Sequence, residues 1–199
     1  MKIKKSAFLQ SVTDWRQCPQ SQLPEYAFIG RSNVGKSSLI NMLVQNSTLA
    51  KTSSKPGKTQ TINHFIINDE WFLVDLPGYG FAHTSKETRA NWAVMIDDYL
   101  QNRPNMICLF VLIDSRLEPQ NIDVEFINKL GENGIPFSII FTKTDKISTS
   151  KLNTNVNLFK NKMLETWEEF PPFFMTSSLT GQGREELLDY IGKINNNNL

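Results

Sequence analysis

The sequence predicts a three-layer, doubly wound α/β fold whose sheet is mostly parallel with one antiparallel strand. Three observations lead there. Short apolar runs alternate with segments of helical apolar spacing along most of the chain. Two of those runs, residues 106–114 and 136–141, are continuously apolar, as strands covered on both faces are. A glycine-bearing segment, residues 30–37, stands between the first strand-like run and the first helical one, where parallel sheets of this kind bind phosphates.

Each element follows from its residues. Residues 26–30 are a short apolar strand that ends in glycine, and residues 36–45 carry Leu39, Ile40, Leu43 and Val44 at helical spacing. Residues 62–67 and 71–75, joined by Asn68-Asp69-Glu70, read as a hairpin, which supplies the antiparallel strand. Residues 91–100 show a helical face of Trp92, Val94, Met95, Ile96, Tyr99 and Leu100. Helices at 123–130, 152–167 and 184–194 then alternate with strands at 106–114, 136–141 and 173–175. No repeat or linker divides residues 25–195, which are expected to form one domain. Residues 1–24 fall outside the alternation and are expected to wrap the surface or extend a sheet edge. Residues 196–199 read as a polar tail that frays.

Composition narrows the function. Lys and Arg number 21 against 20 Asp and Glu, a net charge of +1, so bulk positive potential for holding DNA is absent. Cys18 and Cys108 are too far apart in sequence to suggest a disulfide framework or a metal site, which favours a reducing, cytoplasmic setting. The longest apolar run, residues 106–113, is far shorter than the roughly 20 residues a membrane span needs. Residues 7–9 are cut short by polar neighbours and make no credible secretory signal.

The chemistry lies at the strand ends. Gly30-Arg31-Ser32-Asn33-Val34-Gly35-Lys36-Ser37 matches G-x-x-x-x-G-K-[ST]. Its glycines let backbone N–H groups curl towards phosphate oxygens, Lys36 reaches the β- and γ-phosphates, and the Ser37 hydroxyl is a Mg²⁺ ligand. Asp75-Leu76-Pro77-Gly78 follows an apolar strand; its carboxylate can hold the Mg²⁺ hydration shell and the Gly78 amide can approach the γ-phosphate. Between them Gly57, Lys58, Thr59, Gln60 and Thr61 lie in a polar stretch whose threonines are candidate Mg²⁺ ligands. Thr142-Lys143-Thr144-Asp145 follows the strand at 136–141. Its aspartate can accept from N1–H and the 2-amino group of guanine, donors that adenine does not offer. Thr176-Ser177-Ser178 would give backbone N–H groups to the guanine O6. Separately, D-x-x-G, TKTD and TSS are weak signals; in this order, each after a strand, they specify GTP or GDP. His64 and His83 are given no catalytic part, and Cys108 and Trp92 are taken as core.

On these motifs the chain resembles the EngB family of bacterial GTP-binding proteins over nearly its whole length. The marks are GRSNVGKSS from Gly30, KPGKTQ from Lys55, DLPGYG from Asp75, TKTD from Thr142 and TSS from Thr176. The resemblance implies a GTPase domain. It makes Ser37 and Thr59 the Mg²⁺ ligands, with Asp75 acting through water, and gives Lys36, Thr59 and Gly78 catalytic parts. It further implies a monomer that assists assembly of the large ribosomal subunit, touching rRNA and ribosomal proteins, with effects on growth, division and septation. Two departures from generic GTPases matter. Thr142 replaces the asparagine whose amide bonds guanine N7 and braces the loop, which predicts modest affinity. Tyr79 stands where a glutamine would orient water, which predicts slow hydrolysis, and Asn33 suggests a K⁺ ion beside the phosphates as a substitute. Two other readings compete: a P-loop phosphotransferase, and a nucleotide-stabilised scaffold that does not hydrolyse GTP. The lysines at 2, 4, 5, 51, 55 and 58 suit either RNA phosphates or a solvated surface.

Overall fold

A seven-stranded sheet in the order β1-β3-β4-β2-β5-β6-β7 carries helices on both faces. This computed structural model describes residues 1–50, 60–80 and 86–196. The strands are β1 (Ser6–Val12), β2 (Glu25–Gly30), β3 (Ile62–Ile67), β4 (Trp71–Asp75), β5 (Met106–Asp114), β6 (Phe137–Thr142) and β7 (Phe173–Met175). The helices are α1 (Lys36–Val44), α2 (Lys86–Asn102), α3 (Asn121–Glu132), α4 (Thr149–Met163) and α5 (Arg184–Asn195). Only β3 runs against the rest: it pairs antiparallel with β1 and β4, while β4, β2, β5, β6 and β7 are mutually parallel. The expected mixed sheet is therefore the observed one.

The strand period of two sorts side chains into two cores. Tyr26, Phe28, Phe110 and Leu112 pack on Leu39, Ile40 and Leu43 of α1 and Leu187, Leu188 and Ile191 of α5. Their neighbours Ala27, Ile29, Leu109 and Val111 face the opposite way, onto Ile96 and Tyr99 of α2, Val124 and Ile127 of α3, and Val156 and Phe159 of α4. Residues 6–12 extend the sheet edge as β1, with a register shift between Phe8 and Gln10. An edge strand interrupted in this way is a poor template for further pairing.

Helix ends differ from the apolar pattern. α2 begins at Lys86 rather than near residue 91, because its first turn is polar and carries Glu87 where the helix dipole favours an anion. α4 starts at Thr149, capped by Ser148, whose hydroxyl accepts from Lys151 N. It ends at Met163, and Trp167 leaves the helix to donate from Nε1 to Asn128 Oδ1 at 2.7 Å.

The amino end of the central strand β2, remote from the phosphate loop at its carboxyl end, holds a buried charge cluster that no sequence motif announces. Glu25, fully buried, accepts from Tyr99 Oη at 2.7 Å and from Arg103 Nη2 at 2.6 Å and Nε at 3.1 Å, and lies 3.3 Å from His64 Nε2. His64 is thus a buried structural residue, as expected of a histidine given no catalytic part. Burial pushes the Glu25 carboxyl up, but the adjacent His64 ring and the hydrogen bonds from Arg103 and Tyr99 outweigh it and hold the group below its ordinary value. Its contribution to stability is complete above the unfolded-state value and is lost as pH falls through the lower folded-state value. Glu25→Ala leaves Arg103 buried without its partner and should cost about 3–5 kcal/mol in urea unfolding at neutral pH. The gap to wild type should narrow in acid, where wild type also loses the charge.

Candidate nucleotide site

The phosphate loop begins where β2 stops. A side chain at Gly30 would meet Leu112 O and Val34 Cγ1 at 2.9 Å each, so only glycine lets the chain leave the sheet there. Asn33 (φ 62°) and Gly35 (φ 106°) are left-handed, which curls the backbone into the first turn of α1. No side chain caps α1 at Gly35, so the first N–H groups of the helix, which have no intrahelical acceptor, are left without a side-chain cap and suit an anion. The Lys36 ammonium, nearly buried, pairs with the Asp75 carboxylate at the end of β4. Leu76 N donates to Phe28 O at 3.0 Å, which keeps the aspartate motif beside the phosphate loop.

The segment after the aspartate is held from α3. Tyr79 Oη donates to Asp123 Oδ1 at 2.9 Å, and its ring stacks on Phe126 with centroids 4.3 Å apart. Arg31 Nε donates to the same oxygen at 3.0 Å. Burial, then the Asp123 charge, pushes the Tyr79 phenol well above its ordinary value; burial also raises the Asp123 carboxyl, with Arg31 opposing. The phenol is thus committed to α3.

The third loop meets both the phosphate loop and the last strand. Lys143, left-handed at φ 61°, donates from Nζ to Asn33 O at 2.5 Å and to Asp114 Oδ2 at 2.8 Å. Burial alone would raise Asp114; hydrogen bonds from Arg116 and Lys143 outweigh it and lower the group. Thr142 corrects one expectation. Its buried hydroxyl donates to Val34 O at 2.7 Å, so the loop is braced without an asparagine, through the main chain of the phosphate loop. Thr144 Oγ1 lies 2.8 Å from Gln182 Oε1 and 3.1 Å from Thr176 O. Asp145 Oδ1 accepts from Ser177 Oγ at 2.6 Å, and that hydrogen bond first among causes lowers its carboxyl. Its Oδ2 is buried and makes no hydrogen bond, though Lys146 Nζ is 3.2 Å away. A carboxylate oxygen held here by an ion pair alone keeps acceptor capacity for an N–H of a guanine.

A second correction concerns the loop after β7. Thr176 N donates to Phe141 O at 2.7 Å and Ser177 N to Gln182 O at 3.2 Å. Both are spent on folding the loop, which leaves the Ser178 N–H as the donor of the three for a base oxygen. Gln182 and Gly183 shape this turn: Gly183 (φ 78°) lies so close to Met175 O that no side chain fits. The glycine pair around Gln182 is the sequence signal for that turn. Asp123 had none, because it acts through partners distant in sequence, and the link from Asp114 to the loop, through Lys143, is equally long-range. Thr61 Oγ1 donates to Asn63 Oδ1 at 3.0 Å, along the strand. Gly57, Lys58, Thr59 and His83 lie outside the described residues.

Comparison with known proteins agrees with this geometry. Residues 25–143 match the family model described as 50S ribosome-binding GTPase. A probable GTP-binding protein EngB of Porphyromonas gingivalis is 62% identical over 195 residues, covering 98% of this chain and 97% of the relative. A namesake of Christiangramia forsetii is 58% identical over 196 residues, covering 98% and 99%. The crystal structure of a probable GTP-binding protein engB superposes with a TM-score of 0.69 at 27% identity, over 87% of this chain and 99% of that one.

Thr142→Val removes the one side-chain donor to Val34 O while keeping the volume. Leaving that buried carbonyl unpaired should lower the unfolding free energy by about 1–3 kcal/mol, read by urea denaturation. GDP binding should weaken in parallel.

Proposed function

The chain belongs to the EngB family of GTP-binding proteins and is a GTPase, and from that premise we propose that it is a GTP-gated assembly factor of the large ribosomal subunit. The observation that carries the nucleotide reading is the pairing of a curled phosphate loop with an Asp145 carboxylate whose Oδ2 is held only by the Lys146 ammonium. The ribosomal reading is supported by the matching family model, whose description names 50S binding. Effects on growth, division and septation follow from that reading, as does a cytoplasmic monomer; among the described residues no helix is long and apolar enough to cross a membrane.

Each residue has a part in turnover. With nucleotide bound, Lys36 would turn from the Asp75 carboxylate to phosphate oxygens, and Asp75 would then be free to hold the hydration shell of a Mg²⁺ ion. Residues 30–37 wrap the phosphates with main-chain N–H groups, and the Gly78 N–H meets the γ-phosphate. Ser37 and Asp75 are hard oxygen donors of the kind Mg²⁺ takes, and they flank Lys36, so the residues fit that ion; Thr59 completes the set. Mg²⁺, when bound, neutralises charge between the β- and γ-phosphates. Asp145 reads the base, with the Lys143 stem against its face and Ser178 N–H on its oxygen. Hydrolysis is slow because Tyr79 supplies no water-orienting group, and the exposed Asn33 is the K⁺ ligand that offsets this.

Two measurements test these proposals. Co-sedimentation should retain the protein on large ribosomal subunits with a non-hydrolysable GTP analogue and not with GDP or without nucleotide; equal retention in all three states removes the gated reading. Replacing Na⁺ by K⁺ should raise the hydrolysis rate of wild type about tenfold or more and leave Asn33→Ala unchanged. Equal stimulation of both proteins excludes Asn33 as the ligand.

A further inference from the structure

We propose that Asp123 is a positioning residue for GTP turnover, which sets the place of the Gly78 amide by tying Tyr79 and the phosphate loop to one carboxylate oxygen. Asp123 lies in the first turn of α3, and its side chain is 1% exposed. A carboxylate so buried needs compensation, and it is compensated by Arg31 at 3.0 Å and Tyr79 at 2.9 Å, both on Oδ1. These partners are not arbitrary. Arg31 is the second residue of the phosphate loop, and Tyr79 shares a peptide bond with Gly78.

The rest of α3 makes this oxygen a fixed reference point. Val124, Ile127 and Leu130 anchor the helix in the core, and Phe126 holds the Tyr79 ring from the same helix. Ile122 sits against Gly80, where a side chain would come within 2.7 Å of Cδ1. Tyr79 and Arg31 also face each other as a parallel bridge pair between the two loops. Both residues after Gly78 are therefore seated on α3, so the N–H that meets a γ-phosphate has little room to wander.

GDP has no γ-phosphate, so loosening this tether should spare GDP binding and slow the hydrolytic step. That split separates positioning from general support of the fold. The inference rests on the proposed contact of Gly78 with the γ-phosphate, which Gly78→Ala tests by itself.

The experiment is single-turnover GTP hydrolysis together with GDP titration on the full chain. Tyr79→Phe, which removes one hydroxyl, should slow hydrolysis about tenfold and keep GDP affinity within about threefold. Asp123→Asn still offers the tyrosine an oxygen and should retain more of the rate than Asp123→Ala. Asp123→Ala combined with Tyr79→Phe should be no slower than Asp123→Ala alone, because both act through one contact. Should Asp123→Ala not fold, Tyr79→Phe and Asp123→Asn still decide the matter. Wild-type rates in both of these, or losses of rate and GDP affinity in equal proportion, overturn the proposal. Gly78→Ala impaired while Tyr79→Phe turns over normally would leave the γ-phosphate contact standing and dismiss the tether.

Discussion

A backbone that turns its N–H groups inward must turn its carbonyls outward, and the site depends on where those carbonyls find donors. Arg31 O accepts from Val34 N, Asn33 O from Lys143 Nζ, Val34 O from the Thr142 hydroxyl and Gly35 O from Leu39 N. Two of the four donors belong to the third loop. The loop proposed to read the base therefore also braces the loop proposed to hold the phosphates, so the two are structurally coupled. The threonine at position 142 fits this logic, since a short hydroxyl reaches a neighbouring carbonyl without entering the base position.

Charge is distributed to the same end. At the carboxyl ends of the strands, Asp75, Asp114, Asp123 and Asp145 are each paired with a cation or a hydroxyl. Pairing keeps an acidic cluster from repelling a polyanion: Lys36, Lys143 and Arg31 bring positive charge into the loop. The amino end of β2 carries Glu25 with Arg103, Tyr99 and His64, which tie β2, β3 and the end of α2 together. Thus α2 is pinned at its far end to the central strand.

The strands and the order of the motifs were legible because each rests on local pattern: β3, β4, β5 and β7 span the expected residues. Long-range pairings were not legible. Asp123 reads as an ordinary first-turn acid until Arg31 and Tyr79, 92 and 44 residues away, meet it. Glu25 reads as a polar residue ahead of an apolar strand, and only tertiary structure brings Arg103 to it from 78 residues on. The N–H groups of Thr176 and Ser177 were assigned to the base from sequence, and folding of the 176–183 turn claims them instead. Helix starts at α2 and α4 escaped for a different reason, since polar first turns carry no apolar period and are set by caps and dipole.

Calorimetric titration of the protein with GDP, inosine diphosphate and ADP tests the central claim most directly, because the three share ribose and phosphates and differ at the base edge that Asp145 and the Ser178 N–H are proposed to read. GDP should bind most tightly. Inosine diphosphate, without the 2-amino group, should bind about ten- to a hundredfold more weakly, and ADP weaker by roughly 10³-fold or more. Equal affinity for GDP and ADP would contradict the account, for it would leave a phosphate loop whose base loop reads nothing.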